Sequence, residues 1–207
     1  MEQATVLRRR QPGILSLTWP IFIELLLQML VGNADQVMVG HFDPNGVGAI
    51  GNANQITNLV LLVFSVISTA STILISRYLG AEDKRRVNET YTLSLLVNAI
   101  FGLAVGAILI ALCGPIFTLM QVPAEILERS CLYLRIICGG MVFQAVYLTF
   151  TAFFRSNQMM KESMIVAVVM NLLNIGGNAV LIGGAFGLPA LGVAGAALSS
   201  DISRVVG

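Results

Sequence analysis

The residues of this sequence that could do chemistry are polar groups in places where polar groups are costly. Glu24, Gln28 and Asp35 lie inside the apolar run Trp19 to Gly40, WPIFIELLLQMLVGNADQVMVG. That run is long enough to cross a bilayer, and an ionisable residue in a spanning helix marks a functional site by default. Around a helix, Gln28 lies about 40° and Asp35 about 20° from Glu24, so the three share one stripe. A second group, Asn171, Asn174 and Asn178, falls within about 60° on one face of VAVVMNLLNIGGNAVLIGG. Such amides either join helices by hydrogen bonds or offer carbonyl oxygens to a cation and hydrogen bonds to a substrate. Asp35 would supply the charge. A carboxylate with neutral oxygens suits a hard monovalent ion such as Na⁺, and a carboxylate held among apolar helices can instead carry a proton. Both stay open. A third group, Ser199, Ser200, Asp201 and Arg204, sits in the last apolar stretch. Asp201 and Arg204 are three apart and can pair on the helix surface, which would neutralise both.

The elements that must position these groups follow from composition. The chain is 56% hydrophobic and 11% charged, with a mean hydropathy of +0.83. Ordinary soluble domains carry roughly a quarter charged residues. The expected fold is therefore all-α, a polytopic transmembrane helix bundle with six spans. A polar, basic lead-in over residues 1–13 precedes a transmembrane lobe over 14–207, with spans at about 14–39, 55–78, 90–113, 133–154, 163–182 and 191–207. The link His41–Asn54 contains the turn signal Asp43-Pro44-Asn45-Gly46, and Gly114-Pro115 is expected to end the third span. Ser65, Ser68, Thr69, Ser71 and Thr72 on the second span read as a packing face. The last span is short for a bilayer crossing, and the chain reads as part of a longer protein.

Charge placement orients the bundle. Nine of the twelve basic residues fall before the first span (Arg8, Arg9, Arg10) or around the second and fourth links (Arg77, Lys84, Arg85, Arg86; Arg155, Lys161). Arg129 and Arg135 flank the third link. The positive-inside rule puts the N-terminus and the even-numbered links in the cytoplasm of a multi-pass cell-membrane protein. No cleavable signal peptide is expected, because the run after the arginines is long, contains Glu24 and lacks a small-residue cleavage site. Cys113, Cys131 and Cys138 lack metal-like spacing and read as buried, reduced thiols. The one histidine, His41, has no nucleophile or acidic cluster near it, and the glycine pairs Gly183-Gly184 and Gly192/Gly195 follow no strand. An enzyme is not expected, nor any cofactor beyond a coupling ion. The only metal expected is Na⁺ at that ion's site.

The ordered set of motifs resembles the multidrug and toxic compound extrusion (MATE) family of secondary transporters. The likeness is carried by P-x-x-x-E-x-x-x-Q followed by N-x-D-x-x-M-V-G in the first span, SRYLGAEDKRR after the second, YLRI and AFFRSNQMMKESM around the fourth, and NLLNIGGNAVLI with GVAGAALSSDISRVVG in the last two. The resemblance implies twelve spans in two six-helix lobes, of which this would be the N-terminal one. It implies that Asp35 and Asn174 bind the coupling cation, H⁺ or Na⁺. Asn178 stands where several members carry an aspartate, so this site has one carboxylate fewer. Ala196, through its carbonyl, and Ser200 match further positions of the same site. Gln28 matches a cavity-lining position, and Glu24, Asn171 and Asp201 join it as expected cavity residues, although Asp201 has no counterpart role in the family.

The resemblance therefore implies an antiporter that exports amphipathic, mostly cationic organic compounds by alternating access. Its partners would be small organic cations, the lipid bilayer and a C-terminal lobe, with no nucleic acid. The intramembrane charges, Glu24, Asp35 and Asp201 against Arg204, favour cationic cargo over the pyrophosphate of a lipid-linked saccharide, the cargo of a flippase of related architecture. A half-length membrane partner that does not itself transport is the other alternative.

Overall fold

The structure is a computed structural model that describes residues 14–184 and 189–207. The basic lead-in, with Arg8, Arg9 and Arg10, lies outside them. The described residues form α1 (Ile14–Gly40), α2 (Pro44–Gly80), α3 (Lys84–Leu119), α4 (Ala124–Gly139), α5 (Met141–Ser156), α6 (Met160–Leu181) and α7 (Val193–Val206). Helices α1, α2, α3 and α6 are each long and apolar enough to cross a membrane, and α4 and α5, bent by 51° at the break between them, reach that length and apolarity only as a pair. The fold is all-α, a polytopic transmembrane bundle. Its outward faces carry Leu62, Val66, Ile73, Leu96 and Leu103, as lipid contact requires.

Several helices outrun their apolar stretches. The link expected over His41–Asn54 is helical from Pro44, because the Asp43 side chain accepts from the Asn45 N–H and Pro44 occupies the first turn. At 1.5 Å per residue the 37 residues of α2 reach about 55 Å, far beyond the ~30 Å of hydrocarbon. Likewise Pro115 lies inside α3, which continues to Leu119, so Gly114-Pro115 does not end the span as expected. The fourth span also begins earlier than 133. Arg129, expected in the third link, therefore lies within α4 together with Arg135.

Three helix ends share one device that hydropathy does not show. Glu82, Gln121 and Gln158 adopt left-handed backbone, with φ of 57°, 57° and 61°. In each case the next N–H reaches back to a carbonyl five residues earlier: Asp83 to Tyr78 at 3.0 Å, Val122 to Phe117 at 3.1 Å, Met159 to Phe154 at 2.8 Å. These bonds satisfy carbonyls that a helix end leaves without partners. Asn157 then donates to the Tyr91 hydroxyl at 2.6 Å, tying the α5–α6 link to the start of α3. On the other side of the bundle Arg129 of α4 pairs with Asp43 at the start of α2.

Helix α1 packs on α6 and α2, α3 on α5 and α4, and α7 on α6 and α4. The core includes Ile50, Phe64, Phe117, Leu134, Ile137 and Met141. Cys113, Cys131 and Cys138 are buried and not joined in disulfides, and Arg135 donates to Cys113 Sγ at 3.1 Å. Of the five hydroxyl residues expected to form a packing face on α2, Ser68 and Ser71 are buried, and Thr72 reaches the Ala152 carbonyl of α5 at 3.4 Å.

Close approach of α3 to the bend between α4 and α5 depends on Gly102 and Gly106, a small-xxx-small pair. A β-carbon on Gly106 would lie 2.6 Å from the Cys138 carbonyl oxygen, whereas one on Gly114 would meet nothing within 4 Å. Gly106→Ala is accordingly expected to destabilise the bundle by about 1–3 kcal/mol through overpacking, and Gly114→Ala to leave it unchanged or slightly more stable. Thermal unfolding of the two variants in detergent checks this, and equal midpoints would contradict it.

Candidate functional site

Asp35 lies in the second half of α1, is 1% exposed, and is met by donors from three other helices. Asn178 Nδ2 of α6 reaches its Oδ1 at 2.6 Å. Ser200 Oγ of α7 reaches Oδ2 at 2.8 Å, and the Tyr133 hydroxyl of α4 reaches the same oxygen at 3.1 Å. Behind this first ring, Asn174 Nδ2 donates to Ser200 Oγ at 2.9 Å, and Ser199 Oγ donates to the Asn174 carbonyl at 2.8 Å. The i, i+4 spacing of Asn174 and Asn178 puts both on one face of α6, and Ser199 and Ser200 are supplied by the facing turn of α7. Asn178 Oδ1 is buried without a hydrogen-bond partner. Ala196 is fully buried one turn before Ser200. The structure thus brings Asp35, Asn174, Asn178 and Ser200 into one cluster, with Ala196 adjacent on α7, and adds Tyr133.

Glu24 belongs to a different cluster. It is 0% exposed and forms an ion pair with Arg155, whose side chain is 32% exposed, Nη2 to Oε1 at 2.9 Å. Ser163 Oγ donates to its Oε2 at 2.9 Å, and Gln28 Nε2 approaches Oε1 at 3.5 Å. The stripe on α1 forms as expected, but its two carboxylates face different neighbours. Glu24 meets the end of α5 and the start of α6, and Asp35 meets the later turns of α6 and α7. Placing Glu24 in the substrate cavity is therefore corrected: it is a buried partner of Arg155 behind the wall.

A cavity of about 750 Å³ opens between α1, α2, α4, α5, α6 and α7. Amides dominate its polar lining, among them Gln28, Gln36, Asn54, Gln144 and Asn171, with Leu25, Met29, Leu61 and Leu148 as apolar surface. Gln28 and Asn171 thus fall where expected. Asp201 does not line the cavity. It is turned toward the bend between α4 and α5, where a β-carbon on Gly140 would lie 2.3 Å from its carboxyl carbon. Its pairing partner Arg204, Nη1 to Oδ1 at 3.2 Å, faces the cavity instead. The pair expected from spacing forms, but the cavity receives its cation. His41 sits exposed at the end of α1, its Nδ1 2.8 Å from the Val37 carbonyl oxygen.

The sequence matches the MatE family over residues 20–180, most of the bundle just described. The chain belongs to this family. It is 40% identical over 94% of its length to the uncharacterized transporter YisQ of Bacillus subtilis, covering 43% of that protein. It is 32% identical over 94% of its length to the probable multidrug resistance protein NorM of Thermotoga maritima, covering 42% of that protein. A MATE crystal structure in the bent conformation superposes with a TM-score of 0.86 at 23% identity, covering 93% of this chain and 42% of that one. This MATE chain thus spans less than half the length of the relatives it matches.

Two functional neighbours escape sequence reasoning. Tyr133 stands at the expected start of a span, where an aromatic reads as an interfacial anchor, and Arg155 reads as an ordinary link charge. The signal for Arg155 is the demand of Glu24 itself, since a buried carboxylate needs a cation and the nearby span ends offer few. Removing one member of such a pair strands the other. Arg155→Gln is expected to cost about 3–5 kcal/mol, and Glu24→Gln with Arg155→Gln to recover most of that loss. Unfolding in detergent of the single and double variants measures the coupling. Additive losses would rule out the pairing as the cause.

Proposed function

We propose that this chain is the N-terminal lobe of a cation-coupled exporter of amphipathic organic compounds, in which Asp35 takes up the coupling ion. The observation that carries this reading is the convergence of α4, α6 and α7 on a single buried carboxylate of α1. Family membership supports transport, and the names of relatives such as NorM support multidrug cargo. The same lobe would sit in the cell membrane with its N-terminus cytoplasmic. Support for that orientation comes from the Asn157–Tyr91 bond, which holds the two basic links together.

The donor set fits a small cation through its oxygens: the Asp35 carboxylate, the Ser200 and Tyr133 hydroxyls, and the unpartnered Oδ1 of Asn178. It fits a proton equally. All three neighbours of Asp35 donate to it, an arrangement suited to the ionised carboxylate. Protonation removes the charge that strengthens all three bonds, and the new O–H needs an acceptor, which the unpartnered Oδ1 of Asn178 or a neighbouring hydroxyl offers. The Ser200 and Tyr133 hydroxyls can adjust to either state, because each can accept as well as donate. A hydrogen bond to a charged group contributes about 1.5–3 kcal/mol. Neutralising the carboxylate weakens these bonds, and a change worth about one or two of them would alter a two-state equilibrium in the packing of α1 against α6 and α7 about a hundredfold. Cargo entering the cavity beside Asp35 would then compete with the coupling ion or follow the rearrangement it causes.

The test is efflux of a fluorescent organic cation from cells producing the full-length parent, with and without Na⁺. Asp35→Asn is expected to reach the membrane normally and to lose coupled efflux. Na⁺-independent wild-type efflux would identify H⁺ as the coupling ion, and Na⁺ dependence would identify Na⁺. Normal efflux by Asp35→Asn would refute the assignment of Asp35.

A further inference from the structure

Which charged groups face the cavity is not what a count along the spans implies. Glu24 is paired with Arg155 behind the wall, and Asp201 is turned toward Gly140. Among the described residues that line the cavity, only Asp35 and Arg204 are charged. Far from a mostly acidic vestibule, the lobe presents one carboxylate and one guanidinium.

The two are close and differently engaged. Ser200, which donates to Asp35, lies one helical turn before Arg204 on α7, and both charged residues line the same cavity. Asp35 receives three hydrogen bonds. Arg204 makes one among the described residues, Nη1 to Asp201 at 3.2 Å, although a guanidinium carries five N–H donors. None of its nitrogens is both buried and unpartnered, and the residue lines the cavity. Asp201, held against the bend between α4 and α5, anchors the guanidinium from one side and leaves the other available. A planar fork of donors presented in this way matches a carboxylate, which it can bind through two parallel hydrogen bonds.

We propose that Arg204 is a recognition group for the anionic end of cargo, so that the cavity accepts zwitterions, with a carboxylate on Arg204 and a cationic body among the amides near Asp35. This rests on the exporter reading above and narrows its cargo class. Asp201 acts as a positioning residue that points Arg204 inward.

The experiment compares efflux, from cells producing the full-length parent, of a rhodamine bearing a free carboxylate and of its methyl ester. The two share one cationic ring system and differ only in the anion. Wild type is expected to export both. Arg204→Gln should lower export of the free acid by at least about tenfold, since one hydrogen bond to a charged group already accounts for that much and the fork makes two, while export of the ester persists. Arg204→Gln combined with Asp201→Asn should behave the same way, which separates loss of the guanidinium from the stranding of Asp201. Arg204→Lys should retain part of the acid transport. Asp35→Asn, in contrast, should abolish both. Equal loss of the two dyes in Arg204→Gln, no loss of either, or wild-type export of the ester alone would overturn the proposal. Export of neither dye by wild type would bring down the exporter reading and this one with it.

Discussion

A charge taken out of water must find its partner within the protein, and in a bundle surrounded by lipid that requirement governs the arrangement of α1. Its two carboxylates are almost wholly buried, Glu24 at 0% and Asp35 at 1% exposure. Each is therefore met by groups from other helices: Glu24 by Arg155 and Ser163, Asp35 by Tyr133, Asn178 and Ser200. Hydrophobic burial cannot dictate which helix sits beside which here, because lipid is as apolar as leucine. The polar contacts carry that information. They draw α1 against α6 at two levels along its length and bring α4, α5 and α7 to the same helix.

The two clusters differ in kind. Around Glu24 the charge is balanced by an opposite charge, a closed arrangement suited to holding helices together. Around Asp35 the charge is met only by neutral donors, and one buried amide oxygen beside it has no partner. A charge hydrogen-bonded only by neutral groups that can turn, with no direct ion pair, is the better place to add or remove a small cation. Gly140 extends the same logic to the cavity wall. The missing side chain there leaves room for Asp201, and Asp201 in turn directs Arg204 inward.

Much of the site is legible along the chain. The residues around Asp35 stand out as isolated polar groups on apolar helices, and the spacing of three and four in α6 places its asparagines on one face. The differences between expectation and structure also have a common origin. Hydropathy marks a span end where apolar character falls, but a capped helix continues wherever its backbone hydrogen bonds do, so α2 starts at Asp43-Pro44 and α3 runs through Pro115. Tyr133 and Arg155 do not stand out because their types are ordinary at span ends, and only their partners make them otherwise.

What the sequence determined alone is what depends on local composition and period: the all-α membrane class, the polar stripe on α1, the amide face on α6, the spacing that lets Asp201 and Arg204 pair, and the family itself. Only the tertiary structure decided which of those groups face the cavity and which lie behind its wall. Glu24 and Asp35 share one stripe at about 20° from each other, yet one is bound to a residue 131 positions away and the other to three residues spread over α4, α6 and α7. Helical period sets the direction of a side chain from its own axis. What waits in that direction is set by other helices, at separations over which no local pattern carries information.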